Sequence, residues 1–354
     1  VDVVFHLPTV DSLAYRLHVL GPGAFMFKKD LWKAFRQVPV CPFDYRLLGV
    51  SWNGQLFFNT SLPMGMTSSS YIMQTISGAL AQVCRQNDFF MEAYIDDFVG
   101  AESTLEAAWD SYYFLENLFE DVGVVEAKEK SVAPTTNLEF LGTGFCSETM
   151  TMYVTEDRLV GLDEELRSWE KRTICSAKQL QSILGKLQFV SNCVRPGRVM
   201  MGRLLAFLRT FTHDGFQPID PQTRLDFKWW RMYLPHFSRI GIMWHLSLQP
   251  FEDTMSSDAC LTACGGVCGK KYFRAEFPKF VTDRCSHISQ LELLAVLVTV
   301  RTWAHLFRGK TVLFLCDNEP TVATINSGST RDVIMLSYLR ELAWMATHMD
   351  VWVR

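Results

Sequence analysis

Two adjacent aspartates, Asp96 and Asp97, stand between runs that each read as a β-strand, apolar and aromatic Phe89 to Tyr94 before them and Phe98 to Ala101 after. The chain must turn back on itself between those runs, so the segment reads as a β-hairpin with two like charges at its tip. Aspartate is a favoured turn residue, and one reading of the pair is no more than that. Side-by-side carboxylates add nothing to folding, however, whereas they do suit a divalent cation held against a phosphate. What else the chain brings to the hairpin decides between the two.

A chain of 354 residues, 48% hydrophobic and 20% charged, is too long for one ordinary core and too apolar for disorder, so two or three globular domains are expected. No apolar run reaches membrane-spanning length; the longest, Leu291 to Val300, holds Glu292 and is followed by Arg301. The ten cysteines form no CxxC pair and read as reduced, mostly buried thiols of an intracellular protein. Cys260, Cys264 and Cys268 recur every four residues without a nearby histidine, which argues against a zinc site there. The sequence starts at Val1 inside what already reads as a domain, as a piece of a longer protein would.

Residues 1–150 read as mixed α/β. Ala24 to Lys29 is a strand ending at Asp30, Leu31 to Arg36 a short helical turn, and Leu47 to Thr60 a hairpin turning at Asn53-Gly54. Ser68 to Asn87 has helical spacing with serines as caps, Thr104 to Val122 is a second helix, and Leu138 to Phe145 a strand or hairpin. Residues 151–250 read as mostly helical, broken at Pro196-Gly197 and closed by a linker-like passage near Pro250. Residues 251–354 return to α/β: a strand ending in Asp258, a glycine-bearing hairpin, a helix from Ser289, a strand Thr311 to Cys316, another helix and a final strand towards Arg354.

The net charge of −4 excludes a generic basic coat for nucleic acid, but the charge is unevenly placed. Lys171 to Arg209 holds eight basic residues, among them Lys178, Lys186, Arg195 and Arg198, and no acid. A solvated helix face normally mixes signs, so this stretch reads as a grip for a polyanion.

Asp30 closes a strand as Asp96 does, and three carboxylates from two adjacent strands can hold two metal ions about 3.5–4 Å apart for phosphoryl or nucleotidyl transfer. Alone, Asp30 would read as a helix cap. Its surroundings are distinctive. Lys29-Asp30-Leu31-Trp32-Lys33-Ala34-Phe35-Arg36-Gln37-Val38-Pro39-Val40 resembles the first palm motif of reverse transcriptases, and Leu62 to Ser69 through Gln74 the second. Tyr94 to Asp97 resembles the third, Gly123 with Lys128 to Ser131 the fourth, and Leu138 to Gly142 the fifth. The resemblance implies a right-hand polymerase palm with partial fingers and a helical thumb, with Asp30, Asp96 and Asp97 as ligands of Mg²⁺, or of Mn²⁺. It places Phe35 as an aromatic gate against a ribose 2′-hydroxyl, Gly65 beside template or nucleotide, and Lys130 towards the triphosphate. Gln74 falls among these substrate positions but reads as packing or hydrogen-bonding within the palm; Phe140, Leu141 and Gly142 fall where the family holds the primer end.

Asp258, Glu292 and Asp317 form a second set. Singly, Glu292 could belong to a capping box begun by Ser289, Asp317 could start a helix and Asp258 could sit in a turn. Their order, strand-Asp, helix-Glu, strand-Asp, resembles the ribonuclease H fold, which implies three further metal ligands for cleaving RNA paired with DNA. That family's fourth ligand comes late in the domain and has no counterpart before Arg354; basic finger segments have none before Val1. Leu7 to Ser12, Leu20 to Gly23, Val194 to Arg198 and Cys316-Asp317-Asn318 resemble DIRS-like, tyrosine-recombinase retroelements. The implied partners are an RNA template, a DNA primer, RNA–DNA hybrid and dNTPs, with a recombinase or integrase in the same polyprotein and no membrane. The alternative is a catalytically silent nucleic-acid-binding remnant of such an element.

Overall fold

The structure, a computed structural model, describes residues 7–353 except 213–214, 238 and 244–247. Arg354 and part of the passage expected as a linker before Pro250 lie outside the described residues. The chain divides into two compact units, one ending at Tyr153 and one running from Val154.

In the first unit the elements run α1 (Val10–Leu20), β1 (Phe25–Asp30), α2 (Ala34–Gln37), β2 (Gly49–Trp52), β3 (Gln55–Phe58), α3 (Ser69–Gln86), β4 (Met91–Tyr94), β5 (Asp97–Glu102), α4 (Leu105–Val122), β6 (Val132–Thr135), β7 (Asn137–Phe140), β8 (Thr143–Cys146) and β9 (Thr151–Val154). Local chemistry sets the helix ends. Thr104 caps α4 through a bond from the Ala107 amide, and Gly123 closes it in the left-handed region at φ 73°. Ser68, expected as a cap for α3, has helical dihedrals and makes no capping bond. A four-stranded antiparallel sheet runs in the order β4-β5-β1-β6. Helices α3 and α4 bury one face of it in a core containing Phe27, Met73, Leu80, Phe98, Leu115 and Phe119. Phe27 lies over Gly100 on the neighbouring strand, where an added Cβ would fall 2.3 Å from the ring.

The second unit begins with α5 (Glu156–Lys171), β10 (Ile174–Ser176), α6 (Ala177–Val190), α7 (Gly197–Met200), α8 (Gly202–Leu208), β11 (Phe216–Pro218), α9 (Pro221–Phe237) and β12 (Arg239–Gly241). It continues with β13 (Gln249–Pro250), β14 (Met255–Ala259), β15 (Ala263–Cys268), β16 (Lys271–Glu276), α10 (Lys279–Thr282), α11 (Ile288–Thr302), β17 (Lys310–Val312), β18 (Phe314–Leu315), α12 (Glu319–Ser327), α13 (Val333–His348) and β19 (Trp352–Val353). One sheet runs β16-β15-β14-β18, another β13-β17-β19. The strand expected over Thr311 to Cys316 is thus two pieces, split at exposed Leu313; the first pairs with β13 and β19, the second with β14. The passage read as a linker also ends inside a sheet, since Gln249 and Pro250 are the strand paired with β17. Val199 of α7 shares an apolar cluster with Leu293, Met335 and Leu339, and Asp226 of α9 accepts hydrogen bonds from Arg203 and Arg340. Among the described residues no helix is long and apolar enough to cross a membrane.

Candidate functional site

The register of the first sheet places the aspartates. Asp30 at the end of β1 pairs directly with Asp97 at the start of β5, and Tyr94 pairs with Asp97, so Ile95 and Asp96 are the two-residue turn. Residues paired across antiparallel strands point to the same face, which puts two carboxylates side by side with a third at the tip. Like charges in that position destabilise a sheet, and two cations offset part of it: Lys130 Nζ lies 3.0 Å from Asp30 Oδ1 and Lys28 Nζ 3.8 Å from Asp97 Oδ1. Burial pushes the Asp97 carboxyl from 3.8 up to about 6; Lys28 pulls it back, and Asp30 and Asp96 push it further up. Asp96 is raised as well, by burial first.

The turn carries strain. Ile95 sits at φ 55°, a left-handed conformation that a β-branched residue rarely adopts. Helix α3 holds it there. Ile95 N donates to Gln74 Oε1 at 2.7 Å, Gln74 Nε2 donates to Ala93 O at 2.7 Å, and Ser77 Oγ donates to Ile95 O. The strand after Asp30 is tied in from the other side, with Leu31 N donating to Asp96 O at 3.1 Å. Gln74 therefore bonds the hairpin backbone at both ends of its amide.

The remaining expected positions divide. Phe35 is half-buried against the palm core, and Gly65 is exposed at φ 89° with open space where a Cβ would stand. Leu141 and Gly142 form the β7–β8 turn, both at positive φ. Alternation along β7 turns Phe140 inward and leaves its ring fully buried. Some charges of the basic stretch have acidic neighbours. Lys186 pairs with Glu165, Arg195 with Asp350 and Arg203 with Asp226. The acids missing from the local sequence arrive from other elements. Lys178, Lys186 and Arg198 are exposed, Lys186 beside Glu165.

The second set is built the same way on parallel strands. Met255 pairs with Phe314 and Ser256 with Leu315, so Asp258 near the end of β14 and Asp317 just past β18 each lie two residues beyond the last pair, at the same end of the two strands. Glu292 reaches them from α11, and its Oε1 accepts from Ala259 N at 3.2 Å. It caps nothing. His287 and Gln290 make the capping box of α11, and Asn318 caps α12. Glu292 is 4% exposed, and its Oε2 has no hydrogen-bond partner. Burial pushes its carboxyl from 4.5 to about 7, with Asp258 and Asp317 adding to the rise against the Ala259 amide. Donor atoms of Glu292, Cys316 and Asp317 all fall within 4.8 Å of one another, the one such group of three among the described residues; the first triad is more spread. Cys316 was not among the expected site residues.

One further charged pair lies beside the first triad. Lys29 is fully buried on the opposite face from Asp30, its Nζ 2.9 and 3.0 Å from the two oxygens of Glu126 and 3.6 Å from the centre of the Tyr112 ring. A lysine in phase with core residue Phe27 was the available signal.

Residues 5–145 match the family described as Reverse transcriptase (RNA-dependent DNA polymerase). The Pro-Pol polyprotein of Feline foamy virus is 25% identical over 195 residues, 55% of this chain and 16% of that protein. Protein P of Duck hepatitis B virus (strain China) is 24% identical over 185 residues, 51% of this chain and 23% of that protein. The chain thus spans less than a quarter of the length of these relatives. A solved structure of the foamy viral protease-reverse transcriptase dRH with double-stranded DNA has a TM-score of 0.57 at 14% identity, covering 100% of this chain and 60% of that one. Another, with RNA/DNA hybrid, has a TM-score of 0.54 at 16% identity, covering 93% and 44%. The likeness to these structures is one of fold, a mixed α/β architecture, and the match to the reverse transcriptase family is confined to residues 5–145.

Proposed function

We propose that the first unit carries a template-directed DNA polymerase centre of the reverse-transcriptase kind. The observation that carries it is the Asp30–Asp97 cross-strand pair with Asp96 at the adjoining turn. Three crowded carboxylates make an all-oxygen donor set suited to Mg²⁺ or Mn²⁺, and the burial, with mutual repulsion added, that raises the proton affinity of Asp96 and Asp97 is what a divalent cation relieves. Ions held by Asp30, Asp96 and Asp97 would activate a primer 3′-hydroxyl and neutralise the leaving pyrophosphate of a dNTP. Lys130, whose Nζ lies 3.0 Å from Asp30 Oδ1, would meet the triphosphate. Phe35 would restrict the sugar, the open backbone at Gly65 would admit a base or template strand, and the Leu141-Gly142 turn would meet the primer through its backbone.

Within the same reading, residues 151–250 are a thumb gripping RNA–DNA hybrid through exposed bases such as Lys178 and Arg198. Residues 251–354 are a ribonuclease H-like domain in which Asp258, Glu292 and Asp317 hold the metal for cleaving the RNA strand, and the finer kinship is with DIRS-like elements. Primer extension on an RNA template tests the polymerase. The wild-type chain should incorporate dNTPs with Mg²⁺, and Asp96→Asn should lose at least roughly a hundredfold in rate while still shifting the hybrid on a gel. Full activity of Asp96→Asn would refute the site; wild-type binding without extension would favour the silent remnant.

A further inference from the structure

We propose that the second carboxylate cluster is also a site for a thiophilic divalent ion of the Zn²⁺ class, held by Cys316 Sγ together with Glu292 and Asp317. The inference goes beyond the hydrolase reading, because it concerns a sulfur ligand that oxygen-only metal chemistry does not use, and it stands whether or not that reading does.

Three observations carry it. The first is geometry: the donor atoms of Glu292, Cys316 and Asp317 lie mutually within 4.8 Å. Ligands at about 2.0–2.3 Å on a tetrahedral zinc ion lie about 3.3–3.8 Å apart, so side-chain adjustments of under about an ångström bring all three onto one ion. The second is an unmet polar group. Glu292 is 4% exposed, one oxygen is engaged by the Ala259 amide, and the other is buried with no partner. An orphaned carboxylate oxygen inside a protein is costly unless something cationic meets it. The third is donor type. Carboxylates alone suit Mg²⁺ and Mn²⁺, whereas a thiolate beside two carboxylates shifts preference strongly towards Zn²⁺ or Cd²⁺.

Cys316 follows β18 directly and is half-buried, with Glu292, Asp317 and Asp258 all close enough to act on its thiol. As the metal–sulfur bond forms, the thiol proton passes to solvent. Three protein ligands leave a fourth position to water, the open pattern of zinc sites that are not purely structural. Because Glu292 and Asp317 serve both kinds of ion, a thiophilic ion would exclude Mg²⁺ and silence hydrolysis there.

Cadmium is the probe, since thiolate-to-cadmium charge transfer absorbs in the ultraviolet and reports sulfur ligation without any assay of activity. The reduced, chelator-treated 354-residue chain is titrated with Cd²⁺ and compared with Cys316→Ser, Glu292→Gln and Cys41→Ser, the last an exposed cysteine outside the cluster. Wild type and Cys41→Ser should show the same tight event with its absorbance band. Cys316→Ser should lose that band and at least roughly tenfold in affinity; Glu292→Gln should keep the band and lose about tenfold. Millimolar Mg²⁺ should weaken Cd²⁺ binding in wild type. Unchanged binding by Cys316→Ser overturns the proposal, whereas indifference to Mg²⁺ counts against the hydrolase reading of the same acids. If circular dichroism shows that Cys316→Ser is misfolded, cadmium NMR of the wild-type chain decides. A mixed sulfur–oxygen signal supports the site, and an all-oxygen or all-sulfur signal refutes it.

Discussion

The buried pair Lys29–Glu126 gives the sharpest test of how the first unit is held together. Its side chains are 0% and 5% exposed, and Ser131 Oγ donates to Glu126 Oε1 at 2.5 Å. Lys29→Met removes the cation and leaves a carboxylate inside the protein with only the serine as partner. Breaking a buried pair from one side costs about 3–5 kcal/mol, and the lost contact with the Tyr112 ring adds to it. An exposed i,i+4 pair such as Arg167–Asp163 is worth only about 0.3–0.5 kcal/mol, roughly a tenth as much. For a chain of this size that predicts a loss of roughly 6–20 °C in Tm for Lys29→Met, against about 1–2 °C for Arg167→Met. The double variant Lys29→Met/Glu126→Leu removes both charges and replaces them with apolar volume, so most of the loss should return. Urea and thermal unfolding of the four proteins make the measurement. A Lys29→Met loss below about 1 kcal/mol, or a double variant no better than the single, would show that water or another group satisfies Glu126 and that the pair holds less than its burial implies.

Other outcomes rest on single contacts. Gly100→Ala drives a methyl into the Phe27 ring and should destabilise by about 1–3 kcal/mol, whereas Gly78→Ala, in α3 with open space around it, should stabilise by about 0.5–1 kcal/mol; denaturant midpoints check both. Gln74→Leu removes the acceptor of the Ile95 amide, so hydrogen exchange at Ile95 should quicken about tenfold while amides at the centre of α4 are unchanged. Glu292 gives a pH signature. Its folded-state affinity for a proton, near pH 7, exceeds the unfolded value of 4.5, so its contribution to stability is full below about pH 4.5 and is lost as pH rises through 7. With chelator present, Glu292→Gln, which still offers an oxygen to the Ala259 amide, should be more stable than wild type by on the order of 2 kcal/mol at about pH 8 and no more stable at about pH 4.5. Equal stabilities at the higher pH would contradict the crowding inferred from the cluster.

Much of this was legible in the chain because local chemistry and tertiary structure agree. Asn53-Gly54 is a turn dipeptide, and both residues adopt the positive φ such a turn needs. The capping threonine of α4 and its closing Gly123 mark the helix ends in the sequence as in the structure. The illegible parts came from partners distant in sequence. Counting charges from Lys171 to Arg209 could not see Glu165, Asp226 and Asp350, which arrive from elsewhere in the fold. Cys316 was hidden for a related reason: strand alternation sets it opposite Asp317, yet β18 ends at Leu315 and the pleat does not govern the residues beyond it.

The hairpin at Asp96 joins these two cases. Its turn begins with Ile95 at φ 55°, and the β7–β8 turn begins with Leu141 at φ 46°. Neither residue would be chosen for a left-handed position, where glycine or asparagine is at ease, so neither turn is written locally. At Ile95 the conformation is imposed by Gln74 and Ser77, one helical turn apart on α3, which fasten the backbone on both sides of Tyr94 and at Ile95 itself. A conformation held from outside cannot relax when its neighbours are charged. That is what keeps Asp96 and Asp97 beside Asp30 despite their repulsion, and it assigns the stretch from Leu62 to Ser77 a mechanical part: it grips the turn that presents the carboxylates.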